Sequence, residues 1–203
     1  MKRALRNLVM AAVGVVLGTA AGAAHGQVTA YAPGQGAVNS ISVAIDVRAS
    51  VSGRCGFATG GVPSGTLNQT DFDRSGFSRD FAIAVNCTVA SRIAVSSRNG
   101  GLAAEGAAAP GYAVTAPYNV ALRMVADNGT AAEGICAADK LGAAGGCSFA
   151  GVASQTNGLR LPAASTRANG SYLRVSAPAY AGAAPLVAGR YADTLTITIS
   201  IAP

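Results

Sequence analysis

The sequence contains one histidine, His25, and it falls in the stretch read below as a cleaved leader. The exported chain then has none. That excludes Ser-His-Asp and Cys-His arrangements and most zinc sites. No Cys-x-x-Cys spacing occurs among the four cysteines, which argues against a metal site built on them. Acids are scarce, 9 Asp and Glu against 15 Lys and Arg, for a formal charge of +6. Three of the positive charges, Lys2, Arg3 and Arg6, belong to the leader. What remains is too small and too scattered to argue for nucleic acid as a partner. The acids Asp71, Asp73 and Asp80 lack the Gly and Glu spacing of a calcium loop and read as solvated turn residues. No nucleophile–base pair and no metal set emerge, so the expectation is a non-enzyme with no catalytic residue, cofactor or metal. Beyond residue 26 no stretch is long and apolar enough to span a bilayer.

The first residues form a basic n-region, followed by an uncharged run of Ala, Val, Leu and Gly from Leu8 to Ala24. Small residues at Ala24 and Gly26 lead to Gln27. This is the pattern of a secretory signal peptide over residues 1–26, removed before Gln27. The rest is one ordinary domain, long enough to bury a sizeable core.

Cys55, Cys87, Cys136 and Cys147 all lie in the exported part and are even in number, so in an oxidising compartment they pair. Of the three possible pairings, Cys55–Cys87 and Cys136–Cys147 join sequence neighbours. Loop closure assigns each about 3–4 kcal/mol of stabilisation.

Residues 27–39 are rich in Gly, Ala and Pro. A period-two pattern then begins: Ile41, Val43, Ile45, Val47, Ala49 and Val51 alternate with mostly polar residues. This predicts a β-strand with one buried face. At ~3.3 Å per residue the run is about 35 Å long, roughly twice the usual strand. Residues 56–79 read as loop. Strands are predicted from about Asp80 to Val89, at Ile93–Val95, from Val120 to Ala126, at Leu159–Leu161 and at Tyr172–Val175. Residues 102–117 read as loop. Thr130–Gly151 reads as a disulfide-tied excursion from the domain. The clearest strand is the last, in which Leu195, Ile197, Ile199 and Ile201 face one way and Thr194, Thr196, Thr198 and Ser200 the other. No sustained helical periodicity follows the leader. Short strands with frequent turn signals predict an all-β antiparallel sandwich or barrel.

The stretch Ile45-Asp46-Val47-Arg48-Ala49-Ser50-Val51-Ser52-Gly53-Arg54-Cys55 resembles the N-terminal strand of spore coat protein U domains, the subunits of archaic chaperone–usher pili. Cys87, within Ile83-Ala84-Val85-Asn86-Cys87, stands where that family has its second cysteine. Tyr118 to Asp127 is similar to its middle strand. Gly189-Arg190-Tyr191-Ala192-Asp193-Thr194, running on into Leu195-Thr196-Ile197-Thr198-Ile199, resembles its closing Gly-x-Tyr-x-Asp-Thr strand. The chain departs from the pattern in three places: the cysteine-bearing excursion at 130–151, a tail of Ile201-Ala202-Pro203 in place of an aromatic, and no Arg-rich signature near Asn99.

The resemblance implies an incomplete immunoglobulin-like antiparallel β-sandwich that is completed by a donor strand from another chain. It implies residues 27–45 as an N-terminal donor segment, with Val38, Ile41, Val43 and Ile45 as its apolar anchors. Residues 46–203 are the pilin-like domain, its first strand pairing at home over about Val47 to Cys55. Leu195, Ile197, Ile199 and Ile201 are the implied edge of the acceptor groove and the chaperone contact. The implied partners are neighbouring pilin subunits, a periplasmic chaperone and an outer-membrane usher. The implied location is the periplasm and then the cell surface, in adhesion or biofilm. The competing expectation is a self-contained Ig-like surface binding module or tip adhesin.

Overall fold

The computed structural model describes residues 45–63, 65–107, 110–142 and 146–202. The expected leader, residues 1–26, and the expected donor residues Val38, Ile41 and Val43 lie outside the described residues. The chain divides into two units, Met1–Ala49 and Ser50–Pro203. Of the first, only residues 45–49 are described; they form no strand, and Ile45 and Val47 are exposed.

The second unit is mostly β, with antiparallel sheets and almost no helix. One sheet has four strands in the order β1 (Phe77–Ala82), β8 (Tyr172–Ala177), β5 (Asn119–Val125) and β6 (Ala131–Ala137). A second has the order β10 (Leu195–Ile201), β2 (Ser91–Ser97) and β7 (Leu159–Leu161). A third joins three short strands, β4 (Thr115–Ala116), β3 (Leu102–Ala104) and β9 (Tyr191–Ala192). The helical pieces are α1 (Phe72–Ser75) and a 3₁₀ turn, Ala138–Leu141.

Alternation along the strands builds the interior. On β5, Val120, Leu122 and Met124 are buried while the residues between them are half-exposed. They meet Leu173 of β8, Ile93 and Val95 of β2, Leu161 of β7 and Phe149 in one core. Each such fully buried side chain contributes about 1.5–3 kcal/mol. The β5–β6 hairpin turns at Asp127-Asn128-Gly129, where Gly129 takes a φ of 82°.

Two expectations are corrected here. The stretch Thr130–Gly151 is not an excursion from the domain. Its first part is β6, which pairs with all of β5 from Val125↔Ala131 to Asn119↔Ala137. Its later part returns Ala138, Leu141 and Phe149 to the core. β6 is built from Ala, Glu, Gly, Cys and a single Ile, too few large apolar residues to show a period of two. Gly134 is required in it, because a Cβ there would stand 2.9 Å from the Phe149 ring. The second correction concerns the N-terminal run. No strand forms over 45–56, and Val51 is exposed. Backbone pairing at home begins only at Arg54. Smaller differences are β1, which starts at Phe77 rather than near Asp80, and the short strands β3 and β4 within 102–117.

The disulfides are Cys55–Cys87 and Cys136–Cys147. The second ties β6 to the segment carrying Phe149. Phe149 has 0% exposure, so Phe149→Ala is expected to cost about 3–5 kcal/mol in urea unfolding. A free-standing excursion would give less than about 0.5 kcal/mol.

Candidate functional site

An apolar groove of about 600 Å³ opens on the second unit. Phe77 and Phe81 of β1 and Leu173 and Val175 of β8 line one side. Leu195 and Ile197 of β10 line the other, and Phe57, Leu102, Val62, Pro63 and residues 65–67 complete it. The groove lies between two sheets whose facing strands, β1 and β10, are both edge strands.

The polarity of these edges follows from the pairing. Arg98 N–H donates to the Thr194 carbonyl and Ala202 N–H to the Ala90 carbonyl. With the antiparallel β2–β10 register, the even-numbered residues of β10 therefore turn their backbone groups to β2. Leu195, Ile197, Ile199 and Ile201 turn theirs to the other side. Among the described residues, no strand pairs with that side. On β1, Ile83 N–H donates to the Ser171 carbonyl in line with the β1–β8 register. The backbone groups of Ser78, Asp80 and Ala82 thus form a second row that no strand among the described residues pairs with. Such rows are ready templates for another strand.

The structure treats the four expected edge residues differently. Leu195 and Ile197 line the groove, and with Ile199 they pack half-buried against the core. Ile201 stands at the far end of β10 with 37% exposure, outside the groove lining. Of the expected donor residues only Ile45 is described, at 79% exposure; Val47 at 86% and Val51 at 78% continue its apolar face.

One end of the groove is polar and fixed. Asp193, between β9 and β10, accepts at Oδ2 from Ser97 Oγ (2.5 Å) and the Tyr118 hydroxyl (2.7 Å). At Oδ1 it accepts from the backbone N–H of Asn99 (2.9 Å) and Thr194 (2.7 Å). Asn99 Nδ2 also donates to the Ala192 carbonyl. Burial, and then the hydrogen bond to Asp193, raise the Tyr118 hydroxyl above its ordinary pKa. The carboxylate is saturated by donors, so it serves as a corner joining β2, Tyr118 and the start of β10. The sequence marks Tyr118 only as the start of the stretch similar to the middle strand of spore coat protein U domains. Its pairing with Asp193 was not legible, because the two lie 75 residues apart.

At the home segment, Thr88 N–H donates to the Arg54 carbonyl, Asn86 N–H to Gly56 and Ala58 N–H to Ala84. The Cys55–Cys87 bridge fastens the same place. Arg54 lies opposite Thr88 and Ala58 opposite Ala84, so this segment runs antiparallel to residues 84–88.

A second, shallower cleft surrounds Asp127. Its carboxylate accepts from the backbone N–H of Thr166, Arg167 and Ala168 and from Thr166 Oγ1. These bonds, led by the Arg167 and Thr166 backbone donors, lower its pKa to about 2. On the outer face of the four-stranded sheet, Asp80 receives a bidentate pair from Arg174, at 2.6 and 2.7 Å, which lowers the Asp80 pKa. Asp71 precedes α1 and Asp73 lies within it. The three acids do not converge, and no group of three or more metal-ligating side chains exists among the described residues. No helix among the described residues is long and apolar enough to cross a membrane.

Comparison with protein-family models, with curated proteins and with solved structures gives no match.

Two outcomes follow from these polar clusters. Tyr118→Phe removes a donor to a carboxylate and is expected to cost about 1.5–3 kcal/mol in chemical unfolding. Asp127→Asn is expected to lower Tm at pH 7. A carboxyl whose folded pKa is depressed stabilises above its unfolded pKa, near 4, and loses that contribution as the pH falls through its folded pKa of about 2. Melting curves should therefore show the gap to wild type closing between about pH 4 and pH 2.

Proposed function

We propose that this chain is a structural subunit of a secreted bacterial surface fibre of the chaperone–usher type, assembled by donor-strand complementation and serving adhesion or biofilm formation. In this reading the body is an immunoglobulin-like sandwich short of one strand. The observation that carries it is the pair of unpaired strand edges, β1 and β10, that face each other across one apolar groove. Exposed backbone polar groups and exposed apolar side chains are both relieved when a strand of another chain enters, because main-chain bonds supply affinity and alternate side chains fill the groove.

The donor is the alternating N-terminal run. Val38, Ile41, Val43 and Ile45 begin it, and the unpaired, exposed Val47 and Val51 extend it toward Arg54. Each anchor buried in a neighbour's groove contributes about 1.5–3 kcal/mol. The recipient edge is Leu195, Ile197 and Ile199, with Ile201 at its open end. A periplasmic chaperone holds the same edge before assembly, and an outer-membrane usher receives the subunit. The two disulfides support passage through an oxidising compartment. The motif likeness to spore coat protein U domains supports the same reading.

The test is export of the full chain, followed by size exclusion and electron microscopy, beside variants lacking residues 27–45 or 27–51. The full chain is expected to form fibres or to stay chaperone-bound. The longer deletion should abolish fibres while leaving chaperone binding intact. Long fibres from the 27–51 deletion would overturn the donor assignment. A stable lone monomer with the groove filled by its own backbone would favour a self-contained binding module.

A further inference from the structure

We infer that the Cys55–Cys87 bridge carries the tension between subunits and keeps that tension away from the wall of the groove; the inference rests on the fibre reading above. In a fibre joined by donor strands, a pull on one subunit arrives along its own N-terminal segment. In this chain that segment holds to the body first at Arg54, through bonds to Thr88, and then at Gly56 and Ala58. Next along the chain come Val62, Pro63, residues 65–67 and β1, which together supply much of the groove lining. A pull that peeled the chain in sequence from Arg54 would thus strip out Phe77 and Phe81 and release whatever strand the groove held.

The disulfide cuts that path short. Cys55 lies one residue past the first paired position, and its partner is 32 residues further along the sequence. All of β1 and the groove loop lie inside the closed loop. Cys87 is completely buried and is bonded through both its N–H and its carbonyl to Ser165. From Cys87 the chain passes directly into β2, and β2 pairs with β10 along seven residues, from Ser91↔Ile201 to Ser97↔Leu195. Force entering at Cys55 is therefore handed to β2 and across its ladder to β10, the strand that lines the groove. The load runs from one donor junction to the next without passing through β1. The Cys136–Cys147 bridge lies off this route, at the opposite edge of the four-stranded sheet.

The experiment stretches single assembled fibres of the full chain in a force-measuring trap. It compares wild type, the Cys55→Ala/Cys87→Ala double variant and the Cys136→Ala/Cys147→Ala double variant. Wild-type and Cys136→Ala/Cys147→Ala fibres are expected to rupture with no prior lengthening from the Cys55–Cys87 loop. Cys55→Ala/Cys87→Ala fibres should lengthen in steps of about 11 nm, the extended reach of the chain between the two cysteines at ~3.3–3.6 Å per residue, and rupture at less than half the force. If that variant does not fold or assemble, wild-type fibres are reduced after assembly, with alkylation to confirm opening of the bridge, and the same steps are expected. Steps absent and rupture force unchanged in the opened fibres would overturn the inference while leaving the fibre reading intact. Absence of fibres from the wild-type chain would overturn both.

Discussion

Two strand edges left open across a shared apolar groove are the constraint on which the rest of this structure turns. A strand edge in water keeps its backbone groups solvated, but it also keeps the flanking apolar side chains wet. Here β1 and β10 do both at once, from opposite sides of one cavity. The cavity is about 600 Å³, and among the described residues no strand pairs with the outer edge of either β1 or β10. Much of the remaining architecture works to hold these two edges in place.

Three devices fix the edges. Asp193 gathers Ser97, Tyr118, Asn99 and Thr194 at one end of β10, so that the strand begins at a defined point beside the end of β2. The Asp80–Arg174 pair ties the outer face of β1 to β8, with the guanidinium lying over the Tyr172 ring. The Cys55–Cys87 bridge anchors the chain just ahead of the loop that leads to β1. An open groove is a soft feature by nature, because no packed neighbour supports it. These links come from residues outside its apolar lining or at its polar end, so the lining stays free to receive side chains.

How far the sequence foretold this depends on which residues carry the signal. β10 was legible because Leu195, Ile197, Ile199 and Ile201 alternate with hydroxyl residues over seven positions. β5 was legible for the same reason through Val120, Leu122 and Met124. Both disulfides matched the pairing of sequence neighbours. β6 was hidden because it has a single large apolar residue, Ile135; its place is dictated by β5 beside it and by Phe149 beneath Gly134, neither of which is a local signal. The N-terminal run misled in the opposite sense. Its apolar residues recur at every second position, yet Ile45, Val47 and Val51 are exposed and form no strand. Alternation reports that a segment has an apolar face, not which molecule supplies the surface it meets. The groove itself was only half legible. Its β10 side was named in advance, whereas the β1 side, with Phe77 and Phe81, depends on long-range pairing with β8.

The contact between Gly134 and Phe149 has a consequence for how the hairpin assembles. Strand pairing with a period of two tolerates a slip of one residue only if both faces accept the exchange. Here they do not. A slip of one residue would bring the side chain of Glu133 or Ile135 to the place of Gly134, against the Phe149 ring, where even a single carbon is crowded. The β5–β6 hairpin thus proofreads its own alignment through a steric notch that rejects the shifted pairing.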